Sequence, residues 1–317
     1  ESGTQRETIT ITDDDPAPTV SLSSSVVSVA ESAGANAVTL TATLSAVAES
    51  STSVTLSLSG TATEGAGTDY TINSSTITIA AGNTTGTAQL SILEDSLSEV
   101  PNETIVVDIA SVGGGDSAVE ATPAQQVTVT ITDNEATPQI TLAPTPTSPI
   151  AENGGTSTIT VTSSVVSSSA ITVTLASGAG ATATGGGTDY SLGSSSLVIA
   201  AGSSTQTTTI TSVDDNITEG NEAVVLDITG VSGGGATESG TPQQIAVTIT
   251  DDDSAGFTLS KTTASVAETG STDTFTVVLN SEPTANVTLT LSDNDSSEVL
   301  YPSSVVFSAG NWSTAQT

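Results

Sequence analysis

The chain repeats itself with a step of about 120 residues, and a period that long is a whole domain. Gly67-Thr68-Asp69-Tyr70 returns as Gly187-Thr188-Asp189-Tyr190, Ala80-Ala81-Gly82 as Ala200-Ala201-Gly202, and Gly113-Gly114-Gly115 as Gly233-Gly234-Gly235, each 120 residues on. The closing motif keeps nearly the same step: Asp13, Asp133 and Asp251, each preceded by Thr, lie 120 and then 118 residues apart. A solenoid turn needs only about 20–45 residues, whereas a unit of roughly 50–250 can hold its own core. The repeat therefore requires tandem domains of one architecture.

Within a repeat, short alternating runs such as Val54-Thr55-Leu56-Ser57-Leu58 and Val127-Thr128-Val129-Thr130-Ile131 are separated by Gly, Asn, Asp and Ser clusters. Alternation puts aliphatic side chains on one face and hydroxyls on the other, the period-2 signature of a half-buried strand. Composition agrees: 35% of residues are hydrophobic but only 2% aromatic, Met is absent, and Thr and Ser fill the spaces between aliphatics. Seven such runs lie between Pro18 and Thr132, at the spacing of an immunoglobulin-like sandwich, and no amphipathic helical pattern competes. The expected fold is all-β: tandem immunoglobulin-like seven-stranded antiparallel β-sandwiches. Residues 1–15 read as the last strand of a preceding domain, 16–135 and 136–253 as two complete domains, and 254–317 as the N-terminal part of a divergent third, as though excised from a longer array.

Charge removes several classes of partner. Thirty-five acids face two bases, Arg6 and Lys261, for a net charge of -33, so nucleic acid and anionic membranes would be repelled. No apolar run approaches the roughly 18 residues of a membrane span, and neither a signal peptide nor an initiating Met opens the chain. Cys and His are both absent. That leaves no disulfides, no thiol chemistry and no imidazole to activate the abundant Ser; only paired carboxylates remain, and metal ligation explains those better, which argues against an enzyme.

The acids are concentrated. In the first complete repeat, eight of thirteen fall in four places: Glu31; Asp69; Glu94, Asp95, Glu99 and Glu103; Asp133 and Glu135. In the second, nine of eleven take matching places: Glu152; Asp189; Asp214, Asp215, Glu219 and Glu222; Asp251, Asp252 and Asp253. On seven strands alternating up and down, those segments lie between strands one and two, three and four, five and six, and just past seven, all at one end of the sandwich, where the chain leaves for the next domain. Carboxylates gathered there repel one another, by about 1 kcal/mol per close pair in water and roughly 4 near a protein surface. Calcium suits such a site, taking about 6–8 oxygen ligands with loose geometry, whereas zinc would want the missing His or Cys. Asp108 and Asp227 also repeat, but they alternate with Val and Ile inside a strand and are expected to face solvent, while Tyr70 and Tyr190 are expected to pack beneath their loops.

These residues resemble those of the Calx-beta family. The likeness rests on Ala30-Glu31-Ser32 and Ala151-Glu152-Asn153-Gly154-Gly155, on Gly-Thr-Asp-Tyr, on the run from Asp214 to Glu222, and on Asp251-Asp252-Asp253. It implies a cluster of Ca2+ ions bound at the junction with the next domain. Carried over by position, the implied ligands are Glu31, Asp69, Glu94, Asp95, Glu99, Asp133 and Glu135 in the first domain. In the second they are Glu152, Asp189, Asp214, Asp215, Glu219, Asp251, Asp252 and Asp253. Asn134 stands where the family closes with Asp, and Glu94 where it usually has Asp, so the first site is expected to hold fewer ions or bind more weakly. The last segment lacks Gly-Thr-Asp-Tyr and is assigned no site.

The function expected is a Ca2+-rigidified spacer of a secreted bacterial adhesin or cell-surface filament, with neighbouring repeats as partners across Ca2+-bridged junctions. Self-assembly of the array into filaments is a further expectation. A regulatory Ca2+-sensor module and a ligand-binding adhesion module remain the alternatives.

Overall fold

The computed structural model describes residues 3, 6–10, 12, 14–145, 149–240, 243–294 and 299–317. The chain divides into two compact units, residues 1–137 with 165–169, and residues 138–164 with 170–317. The expected opening strand falls partly on residues 1, 2, 4, 5, 11 and 13, outside the described set, and residues 6–10 are exposed and form no strand.

The first repeat carries β1 (Thr19–Ser24), β2 (Ser28–Ala30), β3 (Val38–Leu44), β4 (Thr52–Gly60), β5 (Tyr70–Ile72), β6 (Thr76–Ile79), β7 (Thr85–Ile92), β8 (Leu97–Ser98), β9 (Glu103–Gly114), β10 (Val119–Glu120) and β11 (Gln126–Thr132). Two sheets form, in the orders β10-β1-β3-β7-β5 and β2-β11-β9-β4-β6. The seven expected runs are all present. The first splits into β1 and β2 and the fourth into β5 and β6, each pair divided between the two sheets. Most pairings are antiparallel, but β1 with β10 and β2 with β11 are parallel.

Alternation is complete along β3, where Val38, Leu40, Ala42 and Leu44 are buried and Thr39, Thr41 and Thr43 turn outward. The opposite sheet contributes Val54, Ile77, Ile79, Ile105, Val107 and Val129, all fully buried, so branched aliphatics from both inner faces make one core. Gly60 ends β4 at φ +120°, and a Cβ there would lie 2.1 Å from the Thr104 carbonyl oxygen. Only glycine lets the two backbones approach so closely.

The second repeat gives β12 (Gln139–Thr145), β13 (Ile150–Ala151), β14 (Thr156–Ser163), β15 (Val166–Ser167), β16 (Ile171–Ser177), β17 (Tyr190–Leu192), β18 (Ser196–Ile199), β19 (Thr205–Ser212), β20 (Glu222–Ser232), β21 (Thr237–Glu238) and β22 (Gln244–Thr250). Their orders, β21-β12-β14-β19-β17 and β13-β22-β20-β16-β18, reproduce the first repeat strand for strand. A bulge recurs as well, between Thr55 and Leu56 on β4 and between Thr174 and Leu175 on β16. Residues 254–317 form two strand pairs, β23 (Phe257–Leu259) with β24 (Val277–Leu279) and β25 (Val287–Thr290) with β26 (Ser304–Phe307). Their small core is Val277, Leu279 and Phe307. Lys261 pairs with Asp273 here.

Candidate metal centre

In the first unit the acidic segments meet at one end of the sandwich. Glu31 opens a short 3-10 turn (Glu31–Ala33) after β2 and is only 3% exposed. Its Oε1 accepts the Asp95 N–H at 3.0 Å, tying this turn to the loop after β7. Asp133, just past β11, accepts the Glu99 N–H on Oδ2 at 3.0 Å and the Glu135 N–H on Oδ1 at 3.1 Å. Asp69 precedes β5, where buried Tyr70 anchors the loop, and its Oδ2 accepts the Thr63 N–H at 2.5 Å. Carboxylate oxygens of Glu31, Asp133 and Glu135 lie within 4.8 Å of one another, and so do those of Asp69, Asp95 and Glu99. Glu94 is exposed at the rim, its Oε1 accepting the Asn134 side-chain amide at 2.9 Å. Asn134 thus contributes a donor to this loop where an acid would have contributed a charge.

The second repeat builds the same arrangement. Asp251 Oδ2 accepts the Glu219 N–H at 2.8 Å and Oδ1 the Asp253 N–H at 2.9 Å, while Asp189 Oδ2 accepts the Thr184 N–H at 2.5 Å. Glu152 is 6% exposed directly after β13. Oxygens of Asp189, Glu219 and Glu222 fall within 4.8 Å of one another. A small concavity is lined by Glu152, Asp189, Glu219, Glu222 and Asp251. Asp252 is exposed and held by Asn153 Nδ2 at 3.0 Å. Asp214 is exposed too and enters through its charge, felt at Asp253 together with those of Asp251, Asp252 and Asp215.

The acids hold their protons unusually firmly. Burial, reinforced by the charges of Asp95, Glu99 and Glu94, lifts Glu31 to about 7 against the opposing Asp95 N–H bond. Burial also raises Glu99 to about 7, with Asp69, Asp95 and Asp133 adding to it. Contact with the Asp133 carboxylate is the largest cause at Glu135, which reaches about 7. In the second repeat burial comes first for Glu152 and Glu222, each at about 7, followed by Asp215 for the former and Asp189 for the latter. Two causes are common to the set: burial, and negative charges that crowd together with no cationic side chain among them.

Two acids join the cluster from the acidic run although the resemblance gives them no ligand role. Glu103 begins β9 and shares a hydrogen bond with Asp69, rising to about 8 chiefly through burial. Glu222 begins β20 and stands in the same relation to Asp189. Their recurrence at matching positions was the available signal. Asp108 and Asp227 are half-buried on outward faces, away from these groups: Asp108 accepts the Gln126 side-chain amide at 2.8 Å, while Asp227 Oδ1 is buried without a hydrogen-bond partner.

The donor set fits a hard divalent cation. Glu31, Glu103, Glu135 and Glu152 each keep one carboxylate oxygen, Oε2, buried and without a hydrogen-bond partner. A buried anionic oxygen is costly unless a proton or a cation satisfies it. The cluster offers oxygen alone, which suits calcium and disfavours zinc. Among the described residues, no helix is long and apolar enough to cross a membrane.

The Calx-beta domain family model matches residues 13–135 and 136–253. No curated protein matches the chain. Solved structures give distant likenesses. CBD12 from CALX1.2 is 15% identical, covering 69% of this chain and 95% of its own, with a TM-score of 0.30. The apo-form Calx CBD1 domain is 24% identical over 36% of this chain and 99% of its own, TM-score 0.30. The Yersinia pseudotuberculosis adhesin InvE is 13% identical over 73% of this chain and 58% of its own, TM-score 0.32. At these scores the structural likenesses add nothing to the family match.

Proposed function

Because the chain belongs to the Calx-beta domain family across residues 13–135 and 136–253, we propose that its repeats bind Ca2+ through their acidic ends and serve as a calcium-stiffened spacer in an extracellular or cell-surface bacterial protein. The observation that carries this reading is the set of buried, partnerless carboxylate oxygens on Glu31, Glu103, Glu135 and Glu152. The ligands assigned to the first site are Glu31, Asp69, Asp95, Glu99, Asp133 and Glu135, with Glu103 reinforcing them and Glu94 at the rim. The second site takes Glu152, Asp189, Asp215, Glu219, Asp251 and Asp253, with Glu222, while Asp214 and Asp252 contribute charge from the rim.

Calcium would act twice. It neutralises the mutual repulsion of the cluster, and it binds the folded form alone, which stabilises that form by mass action. Four loops per repeat, including the one leading to the next repeat, would then be held together. Strands of about five to ten residues make a sandwich on the order of 40 Å long with its loops, so an array gains reach cheaply. An acidic, cysteine-free chain suits calcium-rich water outside the cell, and without His or Cys it offers no imidazole or thiol.

The test is a thermal melt of the whole chain with calcium and with a chelator, followed by small-angle scattering of both samples. A calcium-dependent rise in melting temperature with an extended, rigid particle supports the reading. An unchanged melt sinks the calcium assignment, and an unchanged shape sinks the spacer.

A further inference from the structure

Among the acids at the end of the second repeat stands one neutral side chain with chemistry of its own. Of the asparagines in the chain, only Asn153 is followed by Gly. Asn153 and Gly154 form the exposed tip of the turn between β13 and β14. Gly154 stands at φ +83°, and a Cβ there would meet nothing within 4 Å, so the backbone at the tip has open space beside it. The two ends of the turn are pinned. The Glu152 N–H donates to the Thr250 carbonyl at 3.0 Å, and the Ser212 N–H donates to the Gly155 carbonyl at 2.9 Å. Between them, Asn153 Nδ2 donates to Asp252 Oδ2 at 3.0 Å. In the first repeat Ser32 and Ala33 take the matching places, between Glu31 and Gly34.

A carboxamide carbon is an electrophile, and the backbone nitrogen of the next residue is the nucleophile nearest to it along the chain. A side chain on that next residue crowds the approach, and glycine has none. When the Gly154 nitrogen bonds to Asn153 Cγ, a five-membered imide closes. The Cγ–Nδ2 bond breaks, and Nδ2 leaves as ammonia with the proton that Gly154 gives up. Water then opens the imide at either carbonyl. One opening leaves aspartate, and the other leaves isoaspartate, in which the main chain runs through the former side chain. The Gly154 N–H donates to the Glu152 carbonyl at 2.6 Å, and that bond has to open first. Local opening of an exposed turn costs far less than unfolding, so the bond slows the reaction without barring it.

We propose that Asn153 is a self-modification site, where loss of ammonia turns the carboxamide that faces Asp252 into a carboxylate. A donor to Asp252 is thereby exchanged for a like charge, and the acidic end of the second repeat gains one more acid. Because β22 and β19 pin the two ends of the turn, the extra main-chain atom of isoaspartate must be taken up at the tip, next to the buried Glu152. The first repeat, with Ser32 and Ala33 in these places, has no amide to lose. The inference stands on covalent chemistry and does not depend on which cation the acids hold.

The test is to hold the whole chain in warm, mildly alkaline buffer with chelator and to follow the peptide that carries Asn153 by mass spectrometry, beside the same chain unfolded in denaturant. In the folded chain that peptide should gain the mass difference between an amide and an acid, progressively and more slowly than in the unfolded control. Fragmentation should show both aspartate and isoaspartate at position 153, while peptides carrying Asn134 and Asn216 keep their mass. Asn153→Gln keeps an amide but needs a larger ring, and should abolish the gain. Asn153→Asp reproduces the unrearranged product and should melt a few degrees lower than the parent in chelator. If the folded chain gains no mass while the unfolded control converts, the turn protects Asn153 and the proposal falls. If the mass appears but Asn153→Asp melts as the parent does, the modification stands and its effect on the acidic end falls.

Discussion

Replacing Glu31 with Gln should stabilise the metal-free protein and weaken its response to calcium, a reversal of sign that few substitutions would produce. Glu31 is 3% exposed, its Oε1 accepts the Asp95 N–H, and its Oε2 is buried without a partner. Gln keeps the acceptor, removes the charge and puts an amide donor where the orphaned oxygen was, among the oxygens of Asp133 and Glu135. The carboxyl titrates at about 7 in the fold against an ordinary 4.5. At roughly 1.4 kcal/mol per pKa unit, holding it ionised above pH 7 costs up to about 3 kcal/mol, and solvent screening among the partly exposed neighbouring carboxylates reduces the expected gain to about 1–2 kcal/mol. For a domain of this size that is a rise in Tm of roughly 3–10 °C. The assay is a pair of melts, parent and Glu31→Gln, at pH 8 with chelator and then with calcium. The variant should melt higher in chelator and gain less from calcium. Below about pH 4.5, where the parent carboxyl is protonated folded or unfolded, the difference in chelator should vanish. A variant that melts lower than the parent in chelator at pH 8 would show that the ionised carboxylate is satisfied in the fold, and the reasoning from burial and repulsion would fail.

The remaining predictions concern pH, the added acids and the core. Glu31, Glu99 and Glu152 are raised to about 7 and Glu103 to about 8, so the fold binds protons that the unfolded chain releases. The stability of the metal-free chain should therefore fall as pH rises from about 4.5 to 8. Calcium affinity should fall in the other direction, below about pH 7, as those ligands take up protons; a melt series in pH, with and without calcium, reads both. Glu222→Gln should reduce the calcium-induced rise in the second repeat's melting, whereas Asp108→Asn, outside the cluster, should leave the calcium response intact. Ile105→Ala, at a fully buried position where both sheets meet, should cost about 2–5 kcal/mol by denaturant titration, with or without calcium.

How much of this was legible beforehand differs from element to element. The 120-residue step declared tandem domains, and the alternation along residues 38–44 declared a half-buried strand, because both are periodicities and need no partner to be read. The acidic end was legible for the same reason, since strands that alternate in direction send every second connection to one end. The division of the first and fourth runs into β1 with β2 and β5 with β6 was not, because a strand changes sheets where the two sheets' twist and packing require it. Glu103 and Glu222 recur in the sequence, yet only the start of β9 and β20 beside Asp69 and Asp189 shows which way they turn.

By itself, then, the sequence determined the domain repeat, the strand character, the charge and the end of the sandwich to which that charge goes. Tertiary structure alone decided which carboxylate oxygens are buried without partners, which are held by backbone N–H groups, and that the Asn153 carboxamide faces Asp252. The physical reason is that periodicity records which face of a strand is apolar, a property of one segment. Desolvation, repulsion and hydrogen bonding are properties of groups from distant segments brought within a few ångströms, and no single segment carries them.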